Sequence, residues 1–421
     1  MSAAYSIDAR PLEAAPSHWG RRPLWTLLRR RDITNRPESE LLSVYRDYGV
    51  VPKGSRNDNF NKPSEDLSTY RYVRPGDLVL NKMKTWQGSL AVSEAEGIVS
   101  PAYFVCSLTN ELYPRFAHYL LRSRPYIHMY RAVSKGIRPN QWDLPFEEFR
   151  KIPALLPPLD EQRRIADFLD AETGRMSQVH VRRMRQEALI VERFSITLAS
   201  EVSLLARRTD EIPLRHVVVR LEQGWSPQCY DEEADSDEWG VLKTSSVSAG
   251  IFKPREHKRL PVGQNPDLRY RINDGDLLMT RGSGSSSNVG VAATAKTNGR
   301  RLLLSDLLYR LTLSEGWRAE AVRFFLASQS VRGQIDLLLR GQSGQTIKLR
   351  AEDIREIRIP HVSLAEQEKF VGHIQKWCDW TRETRERLSK SAELLAERRQ
   401  ALITAAVTGQ IDVTTAQGIE V

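Results

Sequence analysis

Three cysteines in 421 residues, Cys106, Cys229 and Cys378, are too few and too scattered for a disulfide framework or a zinc ribbon. That usage fits a reduced, cytoplasmic chain, and none of the three has a second Cys or a His at metal-ligand spacing. No apolar run approaches the ~20 residues needed to span a bilayer. Met1 to Gly20 carries Asp8, Arg10 and Glu13 without an apolar stretch, so it does not read as a secretory signal. Catalytic signatures are missing too. There is no Walker-type phosphate loop and no Gly-x-Gly-x-x-Gly after a strand; Gly282 to Ser287 is glycine-rich but lacks the Lys-Ser/Thr ending. Asn265-Pro266-Asp267 does not fit the Asn-Pro-Pro-aromatic motif that holds an exocyclic amine. Glu256-His257-Lys258 behind the acids of Asp231 to Glu238 matches a nuclease only loosely, and the acidic run reads as a solvated loop. The eight histidines are dispersed. We therefore expect no active site, no metal and no cofactor in this chain.

What is present is charge, punctuation and repetition. Lys and Arg number 62 against 53 Asp and Glu, a formal +9, which points towards a polyanion partner. Pro157-Pro158-Leu159-Asp160-Glu161-Gln162-Arg163-Arg164-Ile165 opens a long helical pattern, and Val362-Ser363-Leu364-Ala365-Glu366-Gln367-Glu368-Lys369-Phe370 repeats it. Leu159, Glu161, Gln162 and Ile165 each stand 205 positions before Leu364, Glu366, Gln367 and Phe370. An internal repeat sets the architecture and is sought first. Ser363 with Glu366 forms a capping box, and Pro158 at the first cap has no N–H to leave unsatisfied.

The first pattern runs from about Leu159 to Leu205, with Gly174 as its weak point. Val181, Met184, Ala188, Val191, Ser195, Leu198, Val202 and Leu205 mark a coiled-coil seam. The second runs from Leu364 to Thr408, with Ile374, Thr381, Leu388, Leu395 and Leu402 seven apart and Gly409 as the stop. Two such seams are expected to pack on one another, parallel or antiparallel; the alternative is that each packs on its own domain.

The regions before the helices read as short strands and turns. Tyr70 to Val73, Asp77 to Leu80, Leu90 to Val92 and Tyr103 to Val105 are strands, Pro75-Gly76 is a turn, and Leu112 to Arg131 is one helix. Tyr270-Arg271-Ile272-Asn273-Asp274-Gly275-Asp276-Leu277-Leu278-Met279 echoes Arg71 to Leu80 at an offset of 199. The fold class is therefore α+β: two mixed α/β domains of one design, each followed by a long helix. The expected boundaries are 1–152, 153–208, 209–357, 358–409 and a tail, 410–421.

The sequences between the repeats differ, and they hold side chains suited to DNA. Lys82, Lys84, Trp86 and Gln87 follow the first Gly-Asp-Leu strand; Thr280, Arg281, Ser283, Ser285 and Asn288 follow the second. A later loop adds Lys135, Arg138, Asn140 and Gln141 in the first half, and Arg340, Gln342, Ser343, Gln345 and Lys348 in the second. Arg and Lys bind guanine O6 and N7, Asn and Gln bind adenine N6 and N7, and Ser, Thr and Lys serve phosphates.

Together, the repeated Pro157 to Asp170 and Ser363 to Asp412 segments and the paired Gly-Asp-Leu strands resemble the specificity (S) subunit of a type I restriction-modification system. The resemblance covers essentially the whole chain. It departs where Ser363 and Ala365 replace the Pro and Asp of the first copy. It implies two target recognition domains, each reading one half of a bipartite, asymmetric sequence in double-stranded DNA. It also implies that the helices form an antiparallel coiled coil, a pseudo-twofold internal repeat that spaces the domains. The subunit is then non-catalytic. Two modification (methyltransferase) subunits that bind S-adenosylmethionine dock on it, with or without two motor-nuclease subunits. The uninterrupted seam after Gly174, about 32 residues or roughly 48 Å, corresponds to about 14 base pairs, and the expected separation is near one helical turn. A coiled-coil adaptor that binds no DNA explains the helices but not the paired basic loops. A self-contained methyltransferase or nuclease lacks its motif.

Overall fold

The computed structural model describes residue 13 and residues 15–55, 63–136, 142–339 and 347–413. The chain divides into two compact units, one of Met1–Met184 with Ser389–Val421 and one of Arg185–Leu388.

The first unit is built on a four-stranded antiparallel sheet, in the order Leu28–Arg30, Tyr103–Leu108, Leu78–Asn81, Leu90–Val92. Side chains alternate across a strand. Leu78 and Leu80 thus enter a large core with Phe116, Leu120 and Tyr130, while Val79 enters a smaller one with Leu42, Val44 and Val105. Burial on both faces explains why this strand is apolar throughout. The second unit repeats the order with Val218–Gln223, Leu308–Leu313, Leu277–Thr280 and Ala292–Thr294. Leu277 and Met279 join Phe324 and Phe325, while Leu278 turns to Leu242, Leu302 and Leu304. This unit adds a three-stranded sheet, His257–Arg259, Trp239–Leu242 and Arg301–Leu303. The acidic run lies against it as a salt-bridged loop, with Glu233 2.7 Å from Arg300 and 3.1 Å from Arg255.

The repeated Gly-Asp pair is a turn with a fixed chemistry. Gly76 and Gly275 take φ of 89° and 93°, a left-handed conformation that costs glycine nothing. Each following carboxylate then accepts from the backbone three residues back and meets an arginine. Asp77 binds the Arg74 N–H at 2.9 Å and Arg31 at 3.2 Å; Asp276 binds the Asn273 N–H at 3.0 Å and Arg310 at 3.3 Å.

The single helix expected over Leu112 to Arg131 is two, Pro114–Leu121 and Arg124–Val133. In an unbroken helix Pro125 has no N–H for the Leu121 carbonyl, and its ring collides with it. Ser123 is instead extended (φ −70°, ψ 153°), and the Tyr130 hydroxyl donates to Leu121 O at 2.9 Å. Ser328 repeats the break between Ala319–Ala327 and Gln329–Leu338.

Two long helices follow, Leu159–Ala206 and Leu364–Val407, the first continuous through Gly174. The capping box forms as expected, with the Ser363 N–H donating to Glu366 Oε2 at 2.9 Å and the Glu366 N–H to Ser363 Oγ at 3.4 Å. In the first unit Ile165, Ala166 and Leu169 share a core with Ile403, Ala406 and Val407, and Arg183 Nη1 donates to Ser391 O at 3.0 Å. In the second unit Leu198 and Val202 share one with Phe370 and Ile374. There Glu187 meets Arg385 at 2.9 Å and Glu201 meets His373 at 3.4 Å. Rising numbers on one helix meet falling numbers on the other, so the packing is antiparallel.

The second helix keeps the expected seam, with Ile374 buried and Thr381, Leu388, Leu395 and Leu402 half-buried. The first does not. Val181 and Met184 are 63% and 60% exposed, and Ala188, Val191 and Ser195 are exposed as well. The inward stripe is Met176, Val179, Arg183, Glu187, Ile190, Phe194 and Leu198, joining the expected one only at Leu198, Val202 and Leu205. Arg183 and Glu187 belong to it because their polar groups find partners on the facing helix. Among the described residues no helix is long and apolar enough to cross a membrane.

Candidate nucleic-acid interface

The Glu-Gln repeat builds a joint at the start of each long helix. Gln162 and Gln367 are fully buried at the first turn of each long helix. The Gln162 carbonyl accepts from the Tyr113 N–H at 2.8 Å, and its amide donates to Glu111 O and Pro157 O, both at 2.9 Å. Gln367 repeats this with the Arg318 N–H at 2.8 Å, Gly316 O at 2.9 Å and Val362 O at 3.1 Å. One amide thus ties the helix start to the segment before the helix that covers the sheet. No other side chain of that length both accepts one such bond and donates two. Glu161 adds a bond from Trp19 Nε1 at 3.0 Å. Replacing Gln162 by alanine strands an N–H and two carbonyls, so urea denaturation should show the first unit destabilised by about 3 kcal/mol.

In the first unit the two candidate loops lie side by side. Leu144 N–H donates to Lys82 O at 3.1 Å, and Lys135 and Asp143 exchange backbone bonds at 2.7 and 2.8 Å. The chain between Lys135 and Asp143 therefore leaves and returns next to Lys82. Lys82 Nζ is 2.8 Å from Asp143, whereas exposed Lys84 and Lys135 have no ion pair among the described residues. Trp86 is 9% exposed; its Nε1 donates to Met83 O at 3.0 Å, and its ring packs on Trp142 at 5.1 Å. Trp86 is the pedestal of the loop, with Gln87 half-buried beside it. Arg138, Asn140 and Gln141 lie outside the described residues.

The second unit brings its loops together by a short ladder, in which Gly282 and Ser283 pair antiparallel with Lys348 and Ile347. Arg281 donates from Nε to the Tyr309 hydroxyl at 3.1 Å and lies over that ring at 5.8 Å. Ser285 and Asn288 are exposed, as is Lys348, and Ser285 Oγ meets Ser287 Oγ at 2.8 Å. Thr280 is 0% exposed, its hydroxyl 3.4 Å from Val247 O. As the last residue of a strand buried on both faces it presents no atom to a ligand. Arg340, Gln342, Ser343 and Gln345 lie outside the described residues.

Sequence reasoning missed Arg124 and Arg131, exposed on the helix Arg124–Val133, with Arg131 5.7 Å from the centre of the Trp142 ring. Their seven-residue spacing was the available signal. The buried apolar face of the same segment obscures it. Among the described residues no group of His, Cys, Asp and Glu is placed to hold a metal ion.

Burial pushes the His118 imidazole down to about 4, with the Arg122 guanidinium acting in the same direction. The folded value lies below the unfolded 6.5, so the first unit keeps its full stability above that pH and loses it as pH falls towards 4. The loss reaches up to about 3 kcal/mol. Denaturation midpoints at neutral and acidic pH should show this drop, and His118→Gln should remove its steep part.

No protein-family model matches the sequence. Over 193 residues, 45% of this chain and 32% of the relative, it is 26% identical to the Type I restriction enzyme EcoEI specificity subunit of Escherichia coli. Over 318 residues, 71% of this chain and 66% of the relative, it is 23% identical to the Type I restriction enzyme EcoKI specificity subunit of Escherichia coli strain K12. The chain thus spans less than two thirds of either relative's length. A solved chain described as "Structural basis underlying complex assembly and conformational transition of the type I R-M system" superposes with a TM-score of 0.67 at 18% identity. That match covers 94% of this chain and 99% of the other. In sequence the chain resembles the specificity subunits of type I restriction enzymes, and in fold a chain of a type I restriction-modification system.

Proposed function

We propose that this chain is the non-catalytic DNA sequence-specificity subunit of a type I restriction-modification complex. One observation carries the reading. Two units share a sheet order, a Gly-Asp turn and a glutamine clamp, yet differ in the paired loops beside the sheet. A shared scaffold with unlike loops suits a bipartite, asymmetric target, with one half read by each unit. On this reading Lys84, Lys135, Ser283, Ser285, Asn288 and Lys348 meet the DNA, which their exposed or half-buried positions in the paired loops support. The antiparallel helices set the length of the unspecified spacer. Exposed Leu189 and Ile196, seven residues apart on the first long helix, give the modification subunits an apolar face to dock on. S-adenosylmethionine and the transfer chemistry belong to those partners, and residues 153–208 and 358–409 act as the spacer.

The test is DNA binding by the chain in complex with its modification partner. Duplex should be bound with strong salt dependence. Lys84→Ala and Lys135→Ala should each lower the slope of log K against log salt by about 0.9. Assembly with the modification subunit but no DNA binding at low salt would favour the adaptor reading. Leu189→Glu with Ile196→Glu should abolish co-purification of the modification subunit.

A further inference from the structure

The cationic helix face of the first unit has no counterpart in the second. Arg124 and Arg131 stand two turns apart on the exposed side of Arg124–Val133, and neither has a carboxylate partner among the described residues. The side chains around them fix the helix against the neighbouring turn. Arg131 lies on Trp142, Trp142 packs on Trp86, and Ile127 seats the helix against Gly88 in the turn after Lys84. Lys84 and Lys135 thus border the same face. The nearby Lys82 is neutralised by Asp143 and Arg46 by Asp47. What remains is a run of unpaired cations beside the loops proposed to read bases.

The corresponding helix of the second unit, Gln329–Leu338, begins 205 positions later after the same serine break. There Gln329 takes the place of Arg124 and Asp336 the place of Arg131. Its one arginine, Arg332, is turned inward, donating to Val289 O at 2.7 Å and lying 3.8 Å from Asp336. At offset 199, Ser283 replaces Lys84. The second unit has kept the helix and lost the charge.

We propose that the Arg124–Arg131 face, with Lys84 and Lys135, is a phosphate-binding track for the DNA backbone, and that the first unit alone carries it. This rests on the DNA-reading function proposed above. Arginine on a duplex phosphate adds affinity and position without sequence information. The first unit then supplies most of the electrostatic grip, and the second reads with Ser283, Ser285, Asn288 and Lys348 on DNA already held.

The experiment compares the full chain with its Arg124→Gln/Arg131→Gln variant, which removes both exposed cations from the helix. Binding to a labelled duplex of random sequence is followed by anisotropy across a salt series. Two lost phosphate contacts should lower the slope of log K against log salt by about 1.8. The variant's affinity should then fall roughly tenfold less than that of the parent chain between about 50 and about 200 mM salt. Gln329→Arg in the second unit should not restore the slope. Both substituted arginines are exposed, and circular dichroism with a denaturation midpoint equal to the parent's shows an intact fold. An unchanged slope in a folded variant would overturn the track while leaving the DNA-reading function standing. A parent chain that binds no duplex at low salt would overturn that function as well.

Discussion

Exchanging residues 30–145 for the same region of another specificity subunit should rewrite one half of the methylated sequence and leave the other half as it was. The region holds three of the four strands of the first sheet, both first-unit loops and the cationic helix; Gln162 itself stays in place, and the backbone of positions 111 and 113 keeps its bonds to it whatever side chains they carry. Its core is closed within the first unit, where Leu78 and Leu80 pack on Phe116 and Leu120. Each mismatched base pair costs about 1–3 kcal/mol, so three altered positions should lower methylation of the old target roughly a hundredfold or more. Methylome sequencing of cells carrying the chimaera reads this directly. Changes in both halves would sink the two-module account.

The second large effect concerns spacing. A heptad inserted into the first long helix alone has no partner residues and should loop out, because the helices are antiparallel and Glu187 already meets Arg385. A matched pair of heptads, after Leu189 and after Glu383, should keep the seam in phase. It lengthens the helix pair by about 10 Å, or about three base pairs of DNA. The expected outcome is a spacer longer by about three unspecified bases between unchanged half-sites. An unchanged spacer with altered half-site bases would refute the ruler.

Much of this was legible from residues alone, for reasons that also mark where reading stops. Leu78-Val79-Leu80 and Leu277-Leu278-Met279 announce strands because a sheet covered on both faces needs an apolar residue at every position. The helix starts are legible as a repeat, but what Gln162 and Gln367 do is not. Their partners lie about 50 residues away in the chain, and only the folded unit brings them close. The phase of the first helix misled because several stripes on it are apolar. Arg183 and Glu187 are polar, so the apolar pattern passes over them, yet they face inward on Ser391 and Arg385. Thr280 fell inside for a related reason: its type suits a phosphate, but its strand position turns it to the core. Arg124 and Arg131 were hidden within a helix read for its buried side.

The central claim is that two unlike surfaces on one repeated scaffold read two halves of one site. Methylome sequencing of a host expressing this chain with its modification partner tests it most directly. The account predicts methylation at one asymmetric sequence, two short specified blocks separated by a run of unspecified bases of fixed length. Methylation at a contiguous or palindromic sequence, or none above background from an assembled complex, would contradict it.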